Sequence, residues 1–247
     1  MKTSIFSIIT FFTVSLVTAQ TFGTVNTTSV GGAGGASNAA ISYLMGDVRN
    51  GDQKRRGPQA DIQGTAYTSD SFLPGKLFYK DEVESTVFYR YNAYMEEIEI
   101  KKTNSPDAEV QGLHRDKYIY VRQPDGKTMS FKTFIDKNGL TQNGYLTSLV
   151  DGTYKFYKRV EIKYTEGQKA QNSFVKAIPP RFAQFTEYYL EVPGRNRIDE
   201  INISNRWLIK LMPKEKQITL KNYLKTNKIK VKDEADIITV LNWLNAN

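Results

Sequence analysis

Between residues 64 and 203 apolar and polar positions alternate with a period of two, and after Ser204 the period lengthens to that of a helix. Segments 76–79 and 86–91 are rich in aromatic and β-branched residues, as strands are. The run from Glu97 to Lys101 alternates cleanly, which predicts Ile98 and Ile100 inward and Glu97 and Glu99 outward in solvent. Strands at 118–122 and 128–135 flank Pro124-Asp125-Gly126-Lys127, a sequence suited to a tight hairpin turn. Asn138-Gly139, Asn143-Gly144 and Asp151-Gly152 read as further turns. Tyr154, Phe156, Val160, Ile162 and Tyr164 line one face of a long strand, a second long strand runs over 182–192, and a last one over 197–203. Short strands, frequent turns and no intervening helices predict about eight to ten antiparallel strands. The expected class is mainly β with α: an antiparallel sheet, sandwich or open barrel with a C-terminal helical subdomain.

That subdomain covers 204–247. Trp207, Leu208 and Leu211 have helical spacing, Pro213 opens a second helix carrying Leu220, Tyr223 and Leu224, and Asp233 fits the N-cap of a third. Ile237, Val240, Leu241 and Leu244 form the apolar stripe of this last helix. From Ser204 onward nine Lys and Arg stand against four acids, a net of +5 out of +8 for the whole chain. Lys214, Lys216, Lys221, Lys225, Lys228, Lys230 and Lys232 make a basic strip beside the second helix. Leu220, Tyr223 and Leu224 are expected to face the sheet, leaving the strip to solvent.

At the other end, Lys2, an apolar stretch over 5–17 and the small-residue end Val17-Thr18-Ala19 have the three-part layout of a secretory signal peptide. Cleavage is expected after Ala19. The stretch is too short and too interrupted by Ser and Thr to span a bilayer, and the absence of Cys at the cleavage point argues against lipid anchoring. Residues 20–64, with Gly31-Gly32-Ala33-Gly34-Gly35 and the basic 54–58, read as a flexible Gly-rich arm in which the apolar patch 41–45 docks locally. The antiparallel β domain then occupies 65–203.

Composition prunes the chemistry. Cysteine is absent, so stability must come from burial, which 15 Tyr and 13 Phe can supply, and thiol catalysis and thiolate metal sites are excluded. His114 is the single histidine and lies in a loop between Leu113 and Arg115-Asp116. It could serve as a general base but reads as a surface residue. Without a second His no zinc site of the usual kind exists, and no G-x-S-x-G turn or calcium-loop motif occurs. No catalytic residue, metal ligand or cofactor is therefore assigned. Carboxylates are plentiful at Asp81, Glu82, Glu84, Glu96, Glu97 and Glu99, which leaves a two-carboxylate glycoside hydrolase open. The densest chemical signal is residues 88–94, where alternation places Tyr89 and Tyr91 on one face and Phe88 and Arg90 on the other. Tyr89, Arg90, Tyr91, Asn92 and Tyr94 are the candidate binding residues, either an aromatic platform with hydrogen-bonding partners for a glycan or peptide, or core filling. Basic residues interleaved with acids, and no finger or RNP-like motif, exclude nucleic acid as the expected partner.

Residues 64–76, GTAYTSDSFLPGK, followed by 90–99, RYNAYMEEIE, and the tail with 228–236, KIKVKDEAD, resemble uncharacterised exported β-rich proteins of Bacteroidota. The Ala19-Gln20 leader end is similar to theirs. The resemblance implies an envelope location, periplasmic, outer-membrane-associated or extracellular, and carries no catalytic residue across. The expected function is that of a non-enzymatic envelope protein binding a macromolecular partner, in an outer-membrane or surface assembly. An envelope protein or an anionic surface is the partner class, and peripheral membrane contact is compatible with it. The alternatives are a glycan-binding module or carboxylate-dependent glycoside hydrolase, and a lipid carrier. The pattern specifies no oligomeric state.

Overall fold

The period-two segments become strands of a single sheet, seen in a computed structural model that describes residues 42–48, 62–172, 174 and 176–247. The predicted leader and most of the predicted arm lie outside the described residues. The strands are β1 (Met45–Gly46), β2 (Leu73–Tyr79), β3 (Glu82–Asn92), β4 (Glu97–Lys101), β5 (Gln111–Leu113), β6 (Ile119–Arg122), β7 (Thr128–Ile135), β8 (Thr141–Val150), β9 (Lys155–Thr165), β10 (Arg181–Glu191) and β11 (Ile198–Ile201). Three helices follow: α1 (Asn205–Leu211), α2 (Lys214–Thr226) and α3 (Glu234–Ala246).

The sheet order is β1-β5-β4-β3-β2-β6-β7-β11-β10-β9-β8, and β7 also pairs with β8. That extra pairing closes β7, β8, β9, β10 and β11 into a ring. The ring's pairs are antiparallel except β7 with β11, which meet in parallel at Asp199 and Ile135. Each of the five strands sends one buried side chain to a common cluster: Phe134, Leu146, Tyr157, Tyr189 and Ile198. The other six strands run outward from β7 as an antiparallel sheet. One face of it buries Leu77, Val87, Tyr89, Tyr91, Ile98 and Val121 together with Tyr145 and Ile162 from the ring strands. The chain is thus mainly antiparallel β with a small C-terminal helical region, consistent with a sandwich or open barrel, as the hydrophobic pattern predicts.

The helices form where their caps and stripes place them. Ser204 accepts a hydrogen bond from the Trp207 main-chain nitrogen (3.3 Å) and Asp233 from that of Asp236 (3.0 Å), satisfying N–H groups that have no partner within the helix. Leu220 and Leu224 of α2 and Ile237, Val240, Leu241 and Leu244 of α3 are buried against Val150, Phe156, Leu190 and Ile201 of the sheet. Tyr223 and Trp243 stack across α2 and α3 with ring centroids 3.8 Å apart. Asn245 closes the layer by bonding both main-chain groups of Tyr154 (2.8 and 3.0 Å). It lies against Gly152, whose φ of +148° and lack of room for a Cβ require glycine there.

Two readings of the pattern are corrected. Asn143-Gly144 is not a turn: it sits inside β8, paired with Lys132 and Thr133 of β7. Gly144 is small because a Cβ would come within 3.2 Å of the Glu96 Oε1 and 3.4 Å of the Arg159 Nε. Among the described residues there are also eleven strands, against an expected eight to ten. The unforeseen β1 and β5 are two and three residues long and exist through pairing with each other and with β4, not through local propensity.

Burial of tyrosine hydroxyls makes a prediction for alkaline solution. Tyr188 is pushed up to about 12, first by burial and then by its hydrogen bond to Glu234 (3.1 Å). Tyr157 and Tyr189 are raised further, by burial and by Glu191 and Glu187 respectively. A raised pKa means that the fold favours the protonated hydroxyl. The contribution is complete below the ordinary tyrosine value of about 10 and is lost as pH climbs through the folded-state value. A titration at 295 nm should therefore show a fraction of tyrosines ionising only together with unfolding, above about pH 12. Smooth ionisation of all tyrosines near pH 10, with the fold intact, would contradict this packing.

Candidate functional site

On the face of β3 opposite its core residues, Arg90 stands directly across from Glu99 of β4 in the strand register. Its Nε lies 2.7 Å and its Nη2 2.6 Å from Glu99 Oε2. Nη2 also donates to the Tyr67 hydroxyl (3.1 Å), which donates in turn to Glu99 Oε1 (3.1 Å), and Asn92 Nδ2 lies 3.5 Å from the same oxygen. The guanidinium is sandwiched between the rings of Tyr67 (3.9 Å) and Phe72 (4.6 Å). Glu99 is 1% exposed. Here the expectation of solvated charges on β4 is corrected: Glu97 and Glu99 are both buried. Alternation assigns a residue to a face but does not say what covers that face, and the cover is the loop carrying Tyr67 and Phe72. Burial raises the Tyr67 hydroxyl, and Glu99 adds to the effect.

A second half-buried arginine lies where the ring meets the β3–β4 turn. Arg159 of β9 is ion-paired with Glu96 and with Glu187 (2.8 Å), and Glu161 is 4.0 Å away. The Tyr189 hydroxyl donates to Glu187 Oε2 (2.9 Å). Burial opposes the Arg159 charge, yet the bonds to Glu96 and Glu187 outweigh it and hold the group above its ordinary value. Of the six candidate carboxylates, Glu96 and Glu99 are engaged by arginines. Neither Arg159 nor Glu187 carried a signal in the alternation pattern. Their direct opposition across β9 and β10 emerges only once that long hairpin's register is known.

The aromatic candidates separate. Tyr89 and Tyr91 belong to the core, Tyr91 meeting the Tyr145 ring edge-on at 5.7 Å. Arg90 and Asn92 belong to the Glu99 network. Tyr94 is half-buried, its ring 5.3 Å from that of Phe182. The five residues do not form one exposed platform. His114 is exposed, as expected, in an open groove of about 460 Å³ shared with Tyr43, Leu44, Tyr79 and Asp116. Beside it Arg115 donates to the carbonyls of Met95 and Glu96 (2.7 and 2.9 Å), and Asp116 accepts from the Tyr118 main chain (2.8 Å).

The basic strip is where the chain presents uncommitted chemistry. Lys214, Lys221, Lys225, Lys228, Lys230 and Lys232 are exposed, and Lys216 is half-buried with its Nζ donating to the main-chain oxygen of Asn247 (3.1 Å). Among the described residues the ammonium of none of the seven pairs with an Asp or Glu side chain; on the sheet Lys155, Lys158 and Lys163 do, while Lys76, Lys101 and Lys132 do not. No described helix is long and apolar enough to cross a membrane. Comparison of the chain with family models finds no match, and neither do comparisons with curated proteins and with solved structures.

Proposed function

We propose that this is an exported cell-envelope protein that works by binding a macromolecular partner rather than by catalysis, and that the basic helical layer is its contact surface. The observation that carries the reading is a contrast in how charge is used. The half-buried Arg90 and Arg159 of the sheet are neutralised internally by Glu99, Glu96 and Glu187, while Lys214, Lys221 and Lys225 of α2 are exposed without an Asp or Glu partner. A set of unpaired cations raises the local potential and draws an anionic partner over a distance set by salt, about 10 Å at 0.1 M. The leader pattern at the start of the chain and the likeness of residues 64–76 and 90–99 to exported Bacteroidota proteins support an envelope setting.

The test is charge reversal. Lys214, Lys221, Lys225 and Lys228 changed together to Glu should move the protein from the envelope pellet to the supernatant at low salt, with its thermal midpoint within a few degrees of wild type. Unchanged fractionation, with neither the substitutions nor high salt releasing the protein, contradicts the reading.

A further inference from the structure

Resting on the reading above, we infer that the partner met by α2 is an anionic lipid headgroup surface, and that Ile218 is the side chain inserted into it. Lys214, Ile218, Lys221 and Lys225 fall at helical positions i, i+4, i+7 and i+11, one continuous row about 16 Å long. Leu220 and Leu224, roughly 110° round the helix from this row, are buried on the sheet, and all four residues of the row are exposed. In the middle of this charged row Ile218 is 71% exposed. A purely solubilising face gains nothing from a β-branched apolar side chain there, and isoleucine is not favoured by intrinsic helix propensity. A helix lying in a bilayer interface has use for it: the apolar side chain enters the headgroup boundary while flanking lysines extend to the phosphates.

Composition selects lipid over an acidic protein. From Pro213 to Asn247 every cation is lysine, and no arginine occurs. Protein interfaces favour Arg and deplete Lys, because the planar guanidinium fixes a carboxylate in two-pronged geometry. A compact, flexible ammonium suits headgroups that have no fixed arrangement. Lys228, Lys230 and Lys232 continue the charge beyond the end of α2. The single acid of α2, Glu215, leaves the helix strongly positive, so attraction to a negatively charged leaflet is the dominant long-range force.

The experiment is co-flotation of the protein, purified after export, with vesicles of phosphatidylcholine alone or with about one third phosphatidylglycerol. Wild type should float with the anionic vesicles at low salt, fail to float with neutral ones, and be released by 0.5 M NaCl. Changing Lys214, Lys221 and Lys225 together to Gln should weaken binding at least tenfold. Changing Ile218 to Ser should weaken it several-fold while leaving a salt-sensitive remainder. Circular dichroism melts check that both variants are folded. Equal flotation with neutral vesicles, no flotation with anionic ones, or an Ile218→Ser variant that binds as wild type overturns the inference. If anionic vesicles fail to bind while the lysine reversals still release the protein from native envelopes, the partner is an acidic macromolecule: the lipid assignment falls and the envelope reading stands.

Discussion

Changing Arg90 to Ala is expected to destabilise the protein by about 3–5 kcal/mol, the cost of leaving a buried carboxylate without its cation. Glu99 would keep only the Tyr67 hydroxyl and the distant Asn92 amide as donors in a site 1% exposed. The rings of Tyr67 and Phe72 would lose the guanidinium packed between them, loosening the loop that covers this face. The paired replacement of Arg90 by Met and Glu99 by Leu should recover most of the loss, since two apolar groups of similar size remove both charges at once. Urea unfolding of the two variants measures the difference. A single-variant loss under about 1 kcal/mol would mean that the pair behaves like an ordinary surface ion pair and that the loop does not seal it.

A chain ending at Ile203 is expected not to fold. The helical layer covers Val150, Tyr154, Phe156, Leu190, Val192 and Ile201. Phe156 and Leu190 are 0% and 1% exposed. Uncovering a fully buried apolar side chain forfeits about 1.5–3 kcal/mol, so the six together reach about 10 kcal/mol. That is on the order of the entire net stability of a domain, about 5–15 kcal/mol. Calorimetry should find no cooperative transition in the shortened chain. A transition at the full-length temperature would make the helices an independent appendage.

What could be read from the amino acids depended on whether the deciding contact was local. The cap at Asp233, the stripe Ile237–Val240–Leu241–Leu244 and the long strands β9 and β10 have their signal within a few residues, and each appears where expected. Gly144 misled because Asn-Gly is a strong turn signal, while the reason for this glycine is Arg159, on the next strand, and Glu96, which precedes it in the chain by four intervening strands. Glu99 misled because its cover, Tyr67, comes from 32 residues earlier. The ring closure is the least legible feature: β7 and β11 share one parallel bridge, between Ile135 and Asp199, with no sequence mark. Of the candidate binding residues, alternation split Tyr89 and Tyr91 from Arg90 correctly, yet it could not tell a core face from a ligand platform. The tail lysines were legible because exposure on a helix follows from the stripe beneath them.

The most direct test of the contact surface is an amine-labelling footprint of the protein on isolated envelopes. Labelling of each lysine is read by mass spectrometry in the free and bound states. Lys214, Lys221 and Lys225 should be protected several-fold on binding, while Lys102, Lys137 and Lys169, exposed on the β domain, label equally in both states. Equal labelling of the α2 lysines in both states, or protection confined to the β-domain lysines, would contradict the assignment of the basic helix as the surface through which this protein binds.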